Sequence, residues 1–244
     1  MHIRQVQLAT RSLDDTVRFY ERLGCAVLAD DDSVRVTVGS SQLVFRVLDG
    51  MTGAHHLAFT IPTGTFADAK RRVAEVATVL GAQGVDEFEG PAGWDSRSVY
   101  FEGPDRQLLE LIERRELPDG DAVAADGQAA PADGHAARAD GHAARADGHP
   151  APLAPLLVSV SEVGIAVPDV PGAVEALRQH GLDPYADPAG PDFAPVGDVD
   201  GLLILVSSGR QWFPTLDRAP SSAPVVVDLG LGTTVELAEG VLLR

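Results

Sequence analysis

Residues 98–112 read SVYFEGPDRQLLELI, and this stretch predicts a β-hairpin from which the fold class follows. Two apolar-rich segments flank a turn that begins at Gly103, and the Gly, Pro and Asp of this turn are residues that favour turns. In the second segment Leu109 and Leu111 alternate with Glu110. Because successive side chains of a strand point to opposite faces, we expect Glu110 to lie on the face opposite the two leucines.

The residues before this hairpin predict a strand, a helix and one more strand. His55–Ile61 alternates like a half-buried strand, Thr65–Leu80 carries apolar residues at helical spacing, and a further strand candidate lies near Gln83–Phe88. We therefore expect residues 55–112 to form a module with the order β-α-β-β-β.

The same order is predicted at the start of the chain. Gln5–Ala9 alternates polar and apolar residues, Ser12 is a suitable N-cap for a helix that ends before Gly24, and three short strand candidates lie between residues 26 and 48. Residues 1–114 are therefore predicted to contain two modules.

The composition changes near Arg114. Residues 115–155 consist largely of Ala, Asp, Gly, Pro and His, a composition that buries too little apolar surface to offset its ordering entropy. We predict a flexible linker, called the tether below. His135, His142 and His149 recur in it every seven residues. These histidines are either incidental to a repeat or a weak metal-chelating tract, and the incidental interpretation is favoured.

The region after the tether, residues 156–244, predicts a third module and a shortened fourth one without a helix. The predicted elements are a strand at Glu162–Val167, a helix from about Gly172 to His180, strands near Phe193–Val196 and Leu202–Ser207, and strand-like segments at Ala223–Leu229 and Thr233–Leu242.

Charge and composition exclude several classes of partner. The net charge of −17 at pH 7 repels phosphate backbones, so we expect no nucleic-acid partner. Apolar runs are far shorter than the roughly 20 residues of a membrane helix, and the N-terminal residues show no signal-peptide pattern. The single Cys25 cannot form an internal disulfide. We therefore expect a cytoplasmic protein with no membrane partner.

Three stretches resemble motifs of the vicinal oxygen chelate superfamily, which includes glyoxalase I, extradiol dioxygenases and bleomycin-resistance proteins. Leu13–Gly24 is similar to the family's D-L-x-x-x-x-x-F-Y-x-x-x-L-G helix, His55–Phe59 to its H-I-A-F strand, and Ser98–Ile112 to its Y-F-x-D-P-D-G-N-x-I-E-L-I hairpin. The third module resembles the family only through Glu162–Asp169.

The resemblance implies an α+β fold in which two βαβββ modules pair into a cup-shaped mixed sheet. Residues 1–114 would then form one complete domain, residues 115–155 the linker, and residues 156–244 a second, degenerate domain. The length of the tether allows the two regions to pair within one chain or in a homodimer.

The resemblance also implies a metal site inside the cup, with ligands from the first and last strands of each module. By position these ligands are Gln5, His56 and Glu110, and strand alternation places each of them on the side away from the helices. An amide oxygen, an imidazole and a carboxylate suit one divalent ion such as Fe, Mn, Ni, Co or Zn. The fourth position falls near Val44 or Arg46, and neither is an anionic ligand. In the third module Glu162 stands at a first-ligand position without a convincing partner, so we assign the second domain no chemistry.

Several candidate residues keep two interpretations. Glu110 is either a metal ligand or the partner of Arg46 in a salt bridge that replaces the metal. Tyr100 is a catalytic or substrate-binding candidate, with core packing as its alternative, and Trp94 either covers the cavity or packs beside it. The catalytic candidates are therefore Glu110 and Tyr100, and the substrate-binding candidates are Arg46, Trp94 and Tyr100.

The leading functional hypothesis is a metal-dependent enzyme of lyase/isomerase or dioxygenase type acting on a small oxygen-rich metabolite. The alternative is a metal-free drug- or metabolite-binding protein of the bleomycin-resistance type, in which Trp94, Tyr100, Trp212 and Phe213 contact the ligand. A regulatory or scaffolding protein is a third hypothesis, supported by the degenerate second domain alone.

Overall fold

The computed structural model describes residues 1–117, 152–185 and 189–244. The tether histidines His135, His142 and His149 lie outside the described residues, so the linker prediction stays a prediction. Within the described ranges, no helix is long and apolar enough to cross a membrane.

The first module has the predicted order, with its helix capped at both ends. The Ser12 side chain accepts a hydrogen bond from the Asp15 backbone N–H, which satisfies one of the free donors of the first turn. After the helix Gly24 adopts a φ of 85°, a left-handed conformation that glycine tolerates. The elements are β1 (Gln5–Thr10), α1 (Leu13–Arg22), β2 (Ala26–Ala29), β3 (Val34–Val38) and β4 (Ser41–Val47).

The second module has a shorter helix than the predicted Thr65–Leu80. The helix ends at Val76 because Ala77 is extended, with φ −142° and ψ 160°. Val79 and Leu80 instead form a short strand that pairs with the first strand of the 98–112 hairpin. The elements are β5 (His56–Ile61), α2 (Phe66–Val76), β6 (Val79–Leu80), β7 (Phe88–Glu89), β8 (Ser96–Glu102) and β9 (Leu108–Arg114).

The C-terminal half supplies the third and fourth modules. The third helix begins at Val170, two residues before its predicted start, because Asp169 caps it by accepting a hydrogen bond from the Gly172 N–H at 3.1 Å. Between residues 208 and 244, all of which are described, the chain forms strands and no helix, as predicted. The elements are β10 (Ser159–Val167), α3 (Val170–Arg178), β11 (Phe193–Asp198), β12 (Gly201–Ser207), β13 (Val225–Asp228), β14 (Val235–Ala238) and β15 (Val241–Leu243).

The strands form two mixed sheets, and each sheet combines one module from each half of the chain. The seven-stranded sheet has the order β14-β15-β13-β1-β4-β3-β2, and the eight-stranded sheet has the order β11-β12-β10-β5-β9-β8-β6, with β7 paired to β8. The paired βαβββ architecture is therefore present.

The prediction that residues 1–114 form one cup is wrong. The first strand of a module needs a partner along its free edge. For β1 that partner is the antiparallel β13, and for β5 it is the antiparallel β10. The boundary between residues 1–114 and residues 156–244 therefore does not separate the two sheets.

Two apolar clusters lie on opposite faces of the eight-stranded sheet. The larger one includes Phe59 and Val163, joins the helix-facing sides of both sheets, and forms the main core. The smaller one, on the other face, includes Trp94, Ile204 and Trp212. This second face encloses the cavity that holds the candidate site.

Candidate metal site in the eight-stranded sheet

The strand register places one row of residues across the eight-stranded sheet. Glu162 of β10 lies opposite Ala58 of β5, Ala58 lies opposite Glu110 of β9, and Glu110 lies opposite Tyr100 of β8. Residues opposite one another share a face, and His56 joins that face because it precedes Ala58 by two positions. The sheet therefore brings His56, Glu110 and Glu162 to one side.

These three side chains form a compact, buried cluster. One ligand atom from each lies within 4.8 Å of the ligand atoms of the other two, and His56 Nε2 is 3.6 Å from Glu110 Oε2. His56 Nδ1 lies 3.1 Å from the Leu108 carbonyl oxygen. If Nδ1 carries the proton and donates it to that carbonyl, Nε2 keeps its lone pair on the side of Glu110.

A glycine makes room for this cluster. A Cβ atom on Gly164 of β10 would stand 2.8 Å from His56 Cβ and 2.7 Å from the Trp212 ring. Any larger residue at position 164 would therefore push His56 or Trp212 out of place.

Burial determines the protonation of the cluster. Desolvation, followed by the charge of Glu162, raises the pKa of Glu110 to about 8, although Ser98, Arg114 and Tyr100 oppose the rise. Desolvation also raises the pKa of Glu162, against the opposing effect of Arg114, and lowers the pKa of His56 to about 4. Two buried carboxylates beside a neutral imidazole favour a cation between them.

We expect the metal-free protein to lose stability as the pH rises from about 5 to 8. Folded Glu110 keeps its proton up to a pKa of about 8, whereas the unfolded chain releases it near the ordinary value of 4.5. The unfolded state therefore binds fewer protons in this window, and the free energy of unfolding falls by about 1 kcal/mol per pH unit. Urea unfolding in the presence of EDTA measures this slope.

The matched control for this experiment is Glu110→Gln, which fills the same volume without a titrating carboxyl group. Its free energy of unfolding should change less over the same pH range. Parallel curves for the two proteins would show that Glu110 is ionised in the folded state.

The cluster lies in a cavity of about 590 Å³ whose walls include six aromatic side chains. This volume falls in the range of small-molecule sites. The ionisable groups His56, Glu110 and Glu162 share one face of the sheet, and the two tryptophans of the chain line the walls. The aromatic residues lining the cavity are Phe88, Trp94, Tyr100, Phe193, Trp212 and Phe213.

A loop from the C-terminal half, residues 208–222, covers part of the cavity. Its Trp212 donates a hydrogen bond from Nε1 to the Ala54 carbonyl oxygen at 2.9 Å, and the Trp212 ring centroid lies 5.2 Å from that of His56 with the two planes tilted by 45°. Arg218 of the loop forms an ion pair with Glu102 of β8. These contacts hold Trp212 against the site.

The structure brings together only some of the predicted site residues. His56, Trp94, Tyr100 and Glu110 line the same cavity. Gln5 does not, because β1 belongs to the seven-stranded sheet, where the Gln5 amide donates to Gln42 Oε1 at 2.8 Å. The assignment of Gln5 as a ligand beside His56 and Glu110 is therefore wrong.

Arg46 is also in the seven-stranded sheet, on β4, and its side chain is exposed. It is neither the ion-pair partner of Glu110 nor a wall of the cavity. The arginine next to the carboxylates is Arg114, which the sequence did not single out. Its pairing with Glu162 depends on the contact between the second and third modules.

Glu162 takes the place that was assigned to Gln5. Glu162 lies in the first strand of the third module, at the position that corresponds to His56 in the second, and a carboxylate at that position is the sequence signal that points to a ligand. The position of the third module that corresponds to Glu110 of the second carries an apolar residue. Ile204 of β12 lies opposite Gly164, as Glu110 lies opposite Ala58, and its side chain lines the cavity. The site thus offers three ionisable side chains and one aliphatic one.

Comparison with known structures supports this architecture. Neither a protein-family model nor a curated protein matches the sequence. Glyoxalase I from Zea mays is 15% identical, with a TM-score of 0.52 over 93% of this chain and 74% of that one. A Bacillus subtilis protein assigned as a dioxygenase is 16% identical, with a TM-score of 0.56 over 93% of this chain and 70% of that one. The chain therefore shares its paired-βαβββ fold with glyoxalase I and with the protein assigned as a dioxygenase.

Proposed function

We propose that the chain is a divalent-metal-dependent enzyme whose site is formed by His56, Glu110 and Glu162. The observation that carries the proposal is the meeting of three buried ligand atoms within 4.8 Å in a cavity of about 590 Å³. The fold shared with glyoxalase I and with the protein assigned as a dioxygenase supports a reaction of lyase/isomerase or dioxygenase type.

The residues present fit a metal ion. One imidazole nitrogen and two carboxylates are ligands for Fe(II), Mn(II), Co(II), Ni(II) or Zn(II). Among the described residues Glu110 forms no ion pair with a lysine or an arginine, so no protein cation occupies the place of a metal ion at this carboxyl group. A bound ion would polarise two neighbouring oxygen atoms of a substrate.

The surrounding side chains give the cavity two chemically different parts. Burial and the charge of Glu110 raise the pKa of Tyr100 well above its usual value, so its hydroxyl keeps its proton and remains a hydrogen-bond donor in the cavity. Walls such as Trp212 and Phe88 exclude water and favour flat, apolar groups. We infer a substrate with adjacent oxygen atoms at one end and an apolar, planar remainder.

Metal content tests the proposal. Plasma mass spectrometry of the untagged protein should find about one equivalent of a divalent ion, and His56→Ala should abolish it. The matched control replaces His135, His142 and His149 with Ala and should keep the metal, because these histidines belong to the tether. A wild-type protein that stays metal-free after reconstitution with each of the five ions would contradict the proposal.

A second candidate function is the metal-free binding of an organic cation. Aromatic faces and carboxylates together attract quaternary ammonium groups, and Trp212, Tyr100 and Glu110 supply both in one cavity. Calorimetry of the EDTA-treated protein with phenyltrimethylammonium, and with its neutral isostere tert-butylbenzene, separates the two candidates. A binding protein prefers the cation and ignores metal ions, whereas the enzyme binds the metal ion and shows no preference for the charged probe.

A further inference from the structure

Arg114, the last residue of β9, is buried completely beside the candidate metal site. Its side chain has 0% exposure, and that of Glu162 has 5%. Arg114 lies on the same face of the strand as Glu110, four residues further along. A guanidinium group in this position loses its hydration and must recover the cost from its neighbours.

Two of the guanidinium donors have defined acceptors on β10. Nη2 lies 2.5 Å from Glu162 Oε1, and Nε donates to the Ser161 hydroxyl at 3.2 Å. The Trp94 ring centroid is 5.4 Å from the guanidinium carbon. The guanidinium thus has contacts to Glu162, Ser161 and the Trp94 ring that together orient it toward Glu162.

This arrangement constrains the Glu162 carboxylate more than it stabilises the fold. A buried ion pair can often be replaced by apolar residues without loss of stability. The ion pair between Arg114 and Glu162 orients the carboxylate, because an arginine that holds one carboxylate oxygen fixes the orientation of the other. The only Glu162 oxygen that accepts a hydrogen bond from the guanidinium is Oε1, which leaves Oε2 without such a bond among the described residues.

We propose that Arg114 is a positioning residue that makes Glu162 a one-oxygen metal ligand. With Oε1 held by Arg114, only Oε2 is presented to an ion beside His56 and Glu110. A carboxylate that used both oxygens would occupy one more coordination position, and Arg114 keeps that position open for a substrate oxygen. This inference rests on the proposed metal site.

A double-mutant cycle with Co²⁺ tests the proposal. Arg114→Met should weaken Co²⁺ binding by about 10- to 100-fold, the usual effect of losing a group that orients a ligand. Combined with Glu162→Gln, it should cause no further loss, because its effect passes through Glu162. Arg114→Lys should recover part of the affinity, since an ammonium group can hold one oxygen but lacks the second anchor on Ser161.

The visible absorption of bound Co²⁺ supplies a readout that depends on coordination geometry. It should change in Arg114→Met and return toward wild type in Arg114→Lys. Wild-type affinity and absorption in Arg114→Met, or an undiminished loss on the Glu162→Gln background, would overturn the proposal while leaving the metal site intact. A wild-type protein that binds no Co²⁺ or other ion would overturn the proposed function and this inference with it.

Ser161→Ala keeps the test decisive if Arg114→Met does not fold. It removes one anchor of the guanidinium and leaves the ion pair with Glu162 in place. Co²⁺ binding should weaken several-fold, and this effect should vanish on the Glu162→Gln background. Unchanged affinity and absorption in Ser161→Ala would then overturn the positioning role.

Discussion

Glu162→Gln is expected to weaken the binding of a divalent metal ion by more than about 100-fold, whereas Gln5→Ala is expected to leave it unchanged. Removing a charged ligand costs at least as much as removing a group that only orients one. Glu162 lies in the cluster with His56 and Glu110, and Gln5 lies in the other sheet. Competition with a chromophoric chelator measures both affinities.

The two variants test the pairing of the modules as well as the ligand. If the first and second modules shared a cup, Gln5→Ala would weaken metal binding and Glu162→Gln would not. That reversed result would contradict the strand order described above. Gln42→Ala serves as a further control, because it removes the hydrogen-bond partner of Gln5 without touching the eight-stranded sheet.

Residues 1–117 expressed alone are expected to bind metal at least about 100-fold more weakly than the whole chain. His56 and Glu110 come from this fragment, but Glu162 comes from the other half. The fragment also exposes the edges of β1 and β5, which β13 and β10 cover in the whole chain, and exposed edges promote association. Chelator competition and light scattering measure the two effects.

Mixing this fragment with residues 152–244 provides the control. The second fragment carries β10 and β13, so the mixture should recover both the metal site and a defined particle size. A fragment of residues 1–117 that is monomeric, well folded and binds metal like the whole chain would contradict the shared sheets.

Local structure follows well from the sequence, because it depends on neighbouring residues. The alternation of Glu110 with Leu109 and Leu111 predicts its strand and its face, and the Ser12 cap is confirmed. The α2 helix is the exception. The apolar spacing predicts a helix as far as Leu80. In the structure the helix ends at Val76, and Val79 and Leu80 pair with β8.

The pairing of modules does not follow from local patterns. The first strands β1, β5 and β10 all alternate in the same way, and each can accept an antiparallel partner along its edge. The choice of β10 for β5 depends on the packing of side chains such as Phe59 and Val163 in the shared core. No spacing within one module encodes that choice.

The errors in the predicted site have the same origin. Strand alternation places Gln5, His56 and Glu162 on the correct faces, but it does not say which faces meet. Because β5 pairs with β10, the site contains Glu162 and Arg114. Gln5 and Arg46 lie in the other sheet and are not part of it. In a chain of four modules, the ligand positions of each module therefore do not define a metal site until it is known which modules pair.

The placement of both tryptophans gives the protein a built-in optical probe. Trp94 and Trp212 are the only two in the sequence, and both line the cavity. All tryptophan emission therefore originates at the candidate site, and the Trp212 ring lies next to that of His56, a proposed ligand. A titration followed by emission alone would report any molecule or ion that enters, and Trp94→Phe and Trp212→Phe would show which wall it touches. Unlabelled protein can thus be screened against compound collections before any reaction is known.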